Sequence, residues 1–410
     1  MNDTQLYTQI LGISKPWKIT SVDVSLADEE VQVHVKHNGS KLRCPQCNKV
    51  CPGYDHRQRR WRHLDTCQLK TLLVAEVPRV QCSEHGVVTV SVPWAESGSG
   101  FTALFEALVI DWLREASISA VARQLRLSWN AVDGIMQRAV KRGLSRRKQL
   151  CLKRLSVDET AYRKGHDYIT VVSDQQEGAV VHVSDDRRIE SLSSFYETLT
   201  ESQKQQIEAV CMDMWPAYIT ATRQAIEGAD DKIVFDRFHV AQYMGRAVDL
   251  VRRQENRVLM QNGDGRLKGS KYHWLRNRSN LGWHQSRQFS ALRTSTLKTA
   301  RAWAMKEFAA TLWNYTTLGW ARRGWERLLG WMARSRLKPM KDAWRTLKKH
   351  LWGILNAVML KADNSRAESI NSRIKVLKSR ARGFRNKERF RNAIYFYLGK
   401  LQLYPSGIMR

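Results

Sequence analysis

Three carboxylates, Asp158, Asp213 and Glu368, stand where acids from separate segments could meet. Asp158 closes the apolar run Leu155-Ser-Val-Asp158, and Asp213 closes Ala209-Val-Cys-Met-Asp213. Glu368 lies near the start of a basic helical stretch, residues 363–375. Two acids at strand ends and one on a helix can converge on a pair of hard divalent cations, Mg²⁺ or Mn²⁺. The chain carries 68 Lys and Arg against 39 Asp and Glu, a formal net charge of +29, so the natural substrate for such cations is a phosphodiester. Asp236 is the rival third acid: it too ends an apolar run, and with Asp158 and Asp213 it could form a triad without Glu368. His239 could orient a water, pack, or contact a phosphate. Glu159 should point away from Asp158, because adjacent strand residues face opposite sides. Ser365-x-x-Glu368 is also a capping-box pattern, so Glu368 could serve only its helix.

A second constellation lies near the N-terminus. Cys44-Pro-Gln-Cys47 is a turn that aims two thiolates at one point, and Cys82-Ser-Glu-His85 repeats it with a sulfur and an imidazole. Such paired knuckles fit a tetrahedral structural zinc site. Cys51, Cys67, His56 and His63 are substitute ligands. Arg57, Arg59, Arg60, Arg62 and Arg79 surround this module, and Arg57 and Arg60 are the residues expected on DNA. Seven cysteines without a secretory signal pattern imply a reducing compartment, here the cytoplasm and its nucleoid. No stretch reaches the ~20 apolar residues of a membrane span.

The elements that must position these groups follow in order. Residues 1–95 read as short strands and turns, a zinc-ribbon DNA-binding domain, and 93–100 as a linker by composition. Residues 100–150 contain an amphipathic helix and then a helix-turn-helix, with helices at 117–125 and 130–142. Its turn carries Arg126 in place of the usual glycine. Asn130, Arg138 and Lys141 on the second helix are candidate DNA contacts, with a basic tail through Lys148. Residues 151–250 give three strands, a helix, a strand, a helix, a strand and a helix, the order of a ribonuclease-H-like α/β fold. In that fold the first strand is central and the fourth lies beside it, which would make Asp158 and Asp213 neighbours. Residues 251–355 read as all helix. From Arg266 to Lys341 there are 17 Lys or Arg and 2 acids, and nine of the 15 tryptophans fall between Trp274 and Trp352. Basic residues interleaved with aromatics suit a surface that holds phosphates and stacks unpaired bases. Most of these tryptophans should form a helical core, with one or two reaching DNA. Residues 356–410 return to the catalytic domain with basic helices, in which Arg373 and Lys375 add phosphate contacts.

The ordered set of motifs resembles the ISL-three family of bacterial insertion-sequence transposases, which are recombinases of the DDE type. The two knuckles, the helix-turn-helix, Ser156-Val-Asp158-Glu, Asp213-Met-Trp-Pro-Ala-Tyr218, Asp236-Arg-Phe-His239 and Ala367-Glu368-x-x-Asn371-x-x-Ile-Lys375 carry the resemblance, which spans nearly the whole chain. It implies that Asp158, Asp213 and Glu368 bind the catalytic metals, and that the helical stretch is an insertion splitting the ribonuclease-H-like fold. Two Mg²⁺ ions roughly 3.5–4 Å apart would then cut and join strands. The expected partners are double-stranded DNA, as terminal repeats and target, and a second copy of the chain. A DNA-binding regulator without catalysis and a structure-specific nuclease on the same fold are the competing readings.

Overall fold

The computed structural model describes residues 2–147, 151–163, 165, 167–362 and 365–408. Lys148, Asp363, Asn364 and the Ser365 side chain lie outside the described residues, and so does the Ser365–Glu368 capping box. The chain divides into two compact units, Met1–Lys148 with Leu401–Arg410, and Gln149–Lys400.

The first unit opens with α1 (Asp3–Leu11) and strands β1 (Trp17–Ser25), β2 (Glu30–His37), β3 (Leu42–Arg43), β4 (Val50–Cys51), β5 (Gly53–Thr66), β6 (Leu69–Cys82) and β7 (Gly86–Thr89). One sheet runs in the order β1-β2-β6-β5 with β7 on β6, while β3 and β4 form a separate hairpin. The expectation of short strands is corrected here, since β5 and β6 each span 14 residues. Val31, Val33 and Val35 on β2 are buried at a spacing of two, which fixes the face turned to the core. That core includes Trp94, edge-on to Trp17 at 4.9 Å and to Trp61 at 5.5 Å. Residues 93–100 are therefore not a free linker. Burial of the Trp94 indole overrides the Gly/Ser composition, and the buried Ser99 hydroxyl bonds Glu106 at 2.8 Å.

Helices α2 (Ala103–Glu115), α3 (Ile118–Gln124) and α4 (Trp129–Ser145) follow. Each begins at a hydroxyl cap, Thr102, Ser117 or Ser128, which accepts a backbone N–H of the first turn. Val121, Val132, Ile135 and Met136 are buried between them. Arg126 takes the left-handed conformation that a glycine would (φ 52°). Its side chain explains why arginine stands there: Nη1 reaches Glu29 at 2.6 Å and Nη2 the Gln68 carbonyl at 3.3 Å. The C-terminal segment lies on α4, where Arg146 donates to the Tyr404 carbonyl at 2.6 Å and Arg142 to that of Leu403. Gly143 permits this contact, because a Cβ there would meet the Leu401 Cβ at 2.6 Å.

The second unit contains β8 (Arg154–Arg163), β9 (Asp167–Asp174), β10 (Ala179–Asp185), α5 (Ile189–Glu197), α6 (Glu201–Gln205), β11 (Ala209–Met212), α7 (Pro216–Ala225), α8 (Ala229–Lys232) and β12 (Ile233–Phe235). The sheet order is β10-β9-β8-β11-β12. The central β8 is antiparallel to β9 and parallel to β11, and β11 is parallel to β12. Asp158 is not at a strand end, contrary to the sequence expectation. The ladder with β9 continues to Arg163↔Asp167 and satisfies the backbone of a polar half-strand that lacks an apolar signature.

After β12 the described residues contain no further strand. Helix α9 (Arg237–Gln261) runs 25 residues, so it crosses position 250 without a break. Then come α10 (Lys271–Leu275), α11 (Trp283–Arg293), α12 (Lys298–Thr311), α13 (Leu318–Arg334), α14 (Lys338–Lys349), α15 (Leu351–Leu360), α16 (Ser365–Arg380) and α17 (Lys387–Leu398). Glu255 on α9 caps α12, accepting the N–H groups of Lys298 and Thr299 at 2.7 Å each. One hydrophobic core joins Val157, Val210 and Phe235 of the sheet to Val248, Trp325 and Ile354 of the helices.

Candidate metal centres and nucleic-acid interface

Strand register aligns the aspartates. Ser156 on β8 pairs with Cys211 on β11, and two residues further along both strands come Asp158 and Asp213. Met212 pairs with Phe235, and one residue further come Asp213 and Asp236. The third element is α16. Asn371 Nδ2 donates to Asp158 Oδ2 at 2.5 Å, and Lys378 Nζ donates to the Ala161 carbonyl. Glu368 stands one turn before Asn371 on the same helix and is exposed. Among the described residues Asp158, Asp213 and Glu368 do not form a ready ligand cluster.

The local electrostatics are those of crowded acids. Burial pushes the Asp158 carboxyl up to about 6, with Asp236 and Glu159 adding to the effect; the Glu159 N–H and His239 oppose it. His239, on the first turn of α9, lies 3.6 Å from Asp213 Oδ1 and 3.9 Å from Asp236 Oδ2. Asp236 itself is 5% exposed and caps α9, its Oδ1 accepting the Phe238 N–H at 3.0 Å. Glu159 turns to another partner, Arg187, at 3.2 Å.

Arg187 is the residue at this site that sequence reasoning missed. Its guanidinium lies over the rings of Trp215 (4.4 Å) and Tyr168 (4.5 Å), and its carbonyl accepts the Trp215 indole N–H at 2.9 Å. This sandwich fixes the loop directly after Asp213. No local motif announces it, since Asp185-Asp-Arg-Arg188 reads as an ordinary charged turn.

In the first unit Cys44, Cys47, Cys82 and His85 bring their ligand atoms within 4.8 Å of one another. Cys44 Sγ and Cys82 Sγ lie 3.7 and 3.6 Å from His85 Nδ1, and Cys47 Sγ lies 3.7 Å from Cys82 Sγ. A tetrahedron with Zn–S of about 2.3 Å and Zn–N of about 2.0–2.1 Å has edges of about 3.5–3.8 Å, so the donor set fits zinc. The Glu84 backbone N–H, helped by His85, pulls the Cys82 thiol down to about 6, which favours the thiolate a metal needs. The substitute ligands are not part of this set, although Cys51 neighbours Cys82. His63 is buried against the Thr102 hydroxyl at 2.9 Å, Cys67 is exposed in the β5–β6 turn, and Cys51 and His56 are outside the cluster.

A transposase family profile of the ISL3 group matches residues 155–394. The chain belongs to the ISL3 family of transposases. The family's helix-turn-helix domain matches residues 90–140, and the zinc finger of the IS204/IS1001/IS1096/IS1165 transposases matches residues 40–85. The chain is 28% identical over 382 residues to the transposase for insertion sequence element IS1001 of Bordetella parapertussis, covering 92% of each chain. It is also 28% identical over 424 residues to the transposase for IS1557 of Mycobacterium tuberculosis, covering 95% of this chain and 94% of the relative.

The basic residues of this ISL3 transposase divide into those that hold the fold and those that face solvent. Arg59 lies over Trp61, Arg62 is buried beside Asp65, and Arg79 holds Asp55 at 2.6 Å. Of the five arginines around the ribbon, the two expected on DNA, Arg57 and Arg60, are exposed. Three residues apart on β5, those two point to opposite faces. On α4, Asn130 and Lys141 are exposed, whereas Arg138 turns to Glu106 at 2.6 Å. A buried Glu106 must be paired, and Arg138 and Arg142 both serve it, so Arg138 is committed to the fold. Arg373 and Lys375 on α16 are exposed, while Lys387 and Arg391 pair with Asp167 and Asp185. No helix among the described residues is long and apolar enough to cross a membrane.

Proposed function

We propose that this transposase binds the terminal repeats of an insertion sequence as a dimer, and cuts and joins DNA strands with two Mg²⁺ ions held by Asp158, Asp213 and Glu368. The observation that carries this reading is the Asn371–Asp158 hydrogen bond, which ties the Glu368 helix to the strand adjoining the one that leads into Asp213. The sheet order, with β8 central and β11 beside it, supports a ribonuclease-H-like catalytic domain interrupted by the helices after β12. The donor set is three hard oxygen acids on a protein of net charge +29, which suits Mg²⁺ or Mn²⁺. Bound ions of this kind activate a water or 3′-hydroxyl and stabilise the leaving oxygen.

The chain's own groups prepare the site. Asn371 holds one oxygen of Asp158, the Met214 N–H holds Asp213 Oδ1 at 2.6 Å, and the Arg187 sandwich stiffens the loop after Asp213. Arg373 and Lys375 on α16 offer charge to the phosphates beside the acids. In the first unit, Cys44, Cys47, Cys82 and His85 would hold structural zinc, and Asn130, Lys141, Arg57 and Arg60 would meet duplex DNA.

The test is strand cleavage of a labelled duplex taken from the DNA flanking the gene, with Mg²⁺ and with chelator. Asp213→Asn and Glu368→Gln should bind the duplex like wild type and lose cleavage by on the order of 10³-fold or more. Equal cutting by Glu368→Gln and wild type would transfer the third position to Asp236. Cleavage retained by Asp213→Asn would overturn the site.

A further inference from the structure

The sequence places nine tryptophans between Trp274 and Trp352 without sorting them. The structure sorts them by exposure. Trp274 and Trp325 are fully buried and Trp303 is 7% exposed, and Phe289 packs edge-on to Trp274 at 4.5 Å and to Trp303 at 5.3 Å. Trp283 and Trp320 are 68% and 60% exposed. An indole left in water forgoes the stabilisation its neighbours gain by burial, and here it recurs on two separate helices, α11 and α13. Both carry the same companion: the Arg287 guanidinium lies 5.6 Å from the Trp283 ring, and that of Arg323 lies 5.3 Å from the Trp320 ring.

The surrounding charge selects the occupant. With 17 Lys or Arg and 2 acids between Arg266 and Lys341, this region repels a copy of itself and attracts a polyanion. One of the two acids, Glu307, is already engaged by Lys306 at 2.7 Å. A duplex offers phosphates and base edges, but its base faces are stacked on one another. An exposed indole beside a guanidinium suits an unpaired base and its phosphate.

We propose that Trp283 and Trp320 are stacking platforms for unpaired bases of DNA, each working with the arginine beside it. The inference rests on the strand-cutting reading above, in which cut ends present such bases. It is tested on the full-length protein with no Mg²⁺ or Mn²⁺ added, by fluorescence anisotropy of a labelled oligothymidylate and of a mixed-sequence duplex of equal length. Trp283→Ala and Trp320→Ala should each weaken the single strand about tenfold and leave the duplex within about twofold. Trp283→Phe and Trp320→Phe, which keep a ring, should retain most of the single-strand affinity. Unchanged single-strand binding by both alanine variants would overturn the proposal. So would equal losses on both DNAs, or a change in sedimentation with DNA affinity intact, which would mark a protein–protein surface. Because this assay contains no Mg²⁺ or Mn²⁺ and no cleavage, it reads the same whether or not Asp213→Asn abolishes cutting, so failure of either proposal shows separately.

Discussion

The ribbon and the carboxylate site gather their donors over very different distances. In the ribbon, Cys44 with Cys47 and Cys82 with His85 sit in two turns at the ends of short hairpins, and four donor atoms fall within 4.8 Å. In the second unit, the proposed ligands Asp158, Asp213 and Glu368 come from a central strand, the end of its neighbour and a helix late in the chain. Asn371 holds the Asp158 side chain and the Met214 N–H that of Asp213. A soft, closed site can be specified by a few residues of turn. An open, hard-acid site that must admit a phosphate needs a rigid sheet and packed helices behind it.

Breaking the local site should have the largest effect. Cys82→Ser should release zinc to a chromogenic chelator and abolish the thermal transition of the first unit, since structural zinc contributes on the order of 10 kcal/mol to small modules. The transition of the second unit should stay in place. Retained zinc would show a neighbouring thiol, Cys51, taking the vacated position.

A second effect shows that the first unit also depends on a distant contact. His63 on β5 is buried against Thr102, the cap of α2, and burial pulls its pKa down to about 4. Its folded pKa lies below the ordinary 6.5, so the unfolded chain binds the extra proton first. Stability should therefore fall as pH drops below about 6.5 and level off below about 4, a loss of about 3 kcal/mol. Denaturant midpoints of wild type and His63→Gln across this window check it, and parallel curves would refute the assignment.

Asn371→Ala probes the long-range site without touching a proposed ligand. Loss of a group that orients a metal-binding carboxylate should cost roughly 10–100-fold in metal affinity or activity, partly recovered at higher Mg²⁺. A fall in rate that added Mg²⁺ leaves untouched would argue for a direct role of Asn371 on DNA. The smallest effect should come from Arg126→Gly. Glycine suits the left-handed turn, and the exposed pair with Glu29 is worth at most about 1 kcal/mol, so the melting temperature should move little. A large loss would show that the Gln68 contact holds the helix-turn-helix to the sheet.

The sequence was most informative where function depends on short spacing. The knuckle motifs picked four residues that the fold brings together. It was least informative where polar residues join the interior. The 93–100 segment is turn-like in composition, yet it supplies Trp94 and Ser99 to a core. The second half of β8 is polar because its stability comes from ladder hydrogen bonds rather than apolar alternation. Arg138 looked like a phosphate contact because nothing in the sequence predicts a buried Glu106 on another helix.

What the amino-acid sequence determined by itself was the set of chemical groups: four soft donors in two turns, acids closing or following apolar runs, and a large positive charge seeking a polyanion. Those properties are local or additive, so they survive without coordinates. What the tertiary structure alone decided was which groups remain available. Register aligned Asp158, Asp213 and Asp236, and gave Asp236 a second role as the cap of α9. Packing buried Trp274 and Trp325 and left Trp283 and Trp320 in solvent. Availability depends on every neighbour that competes for a side chain, and those neighbours are brought together only by the fold.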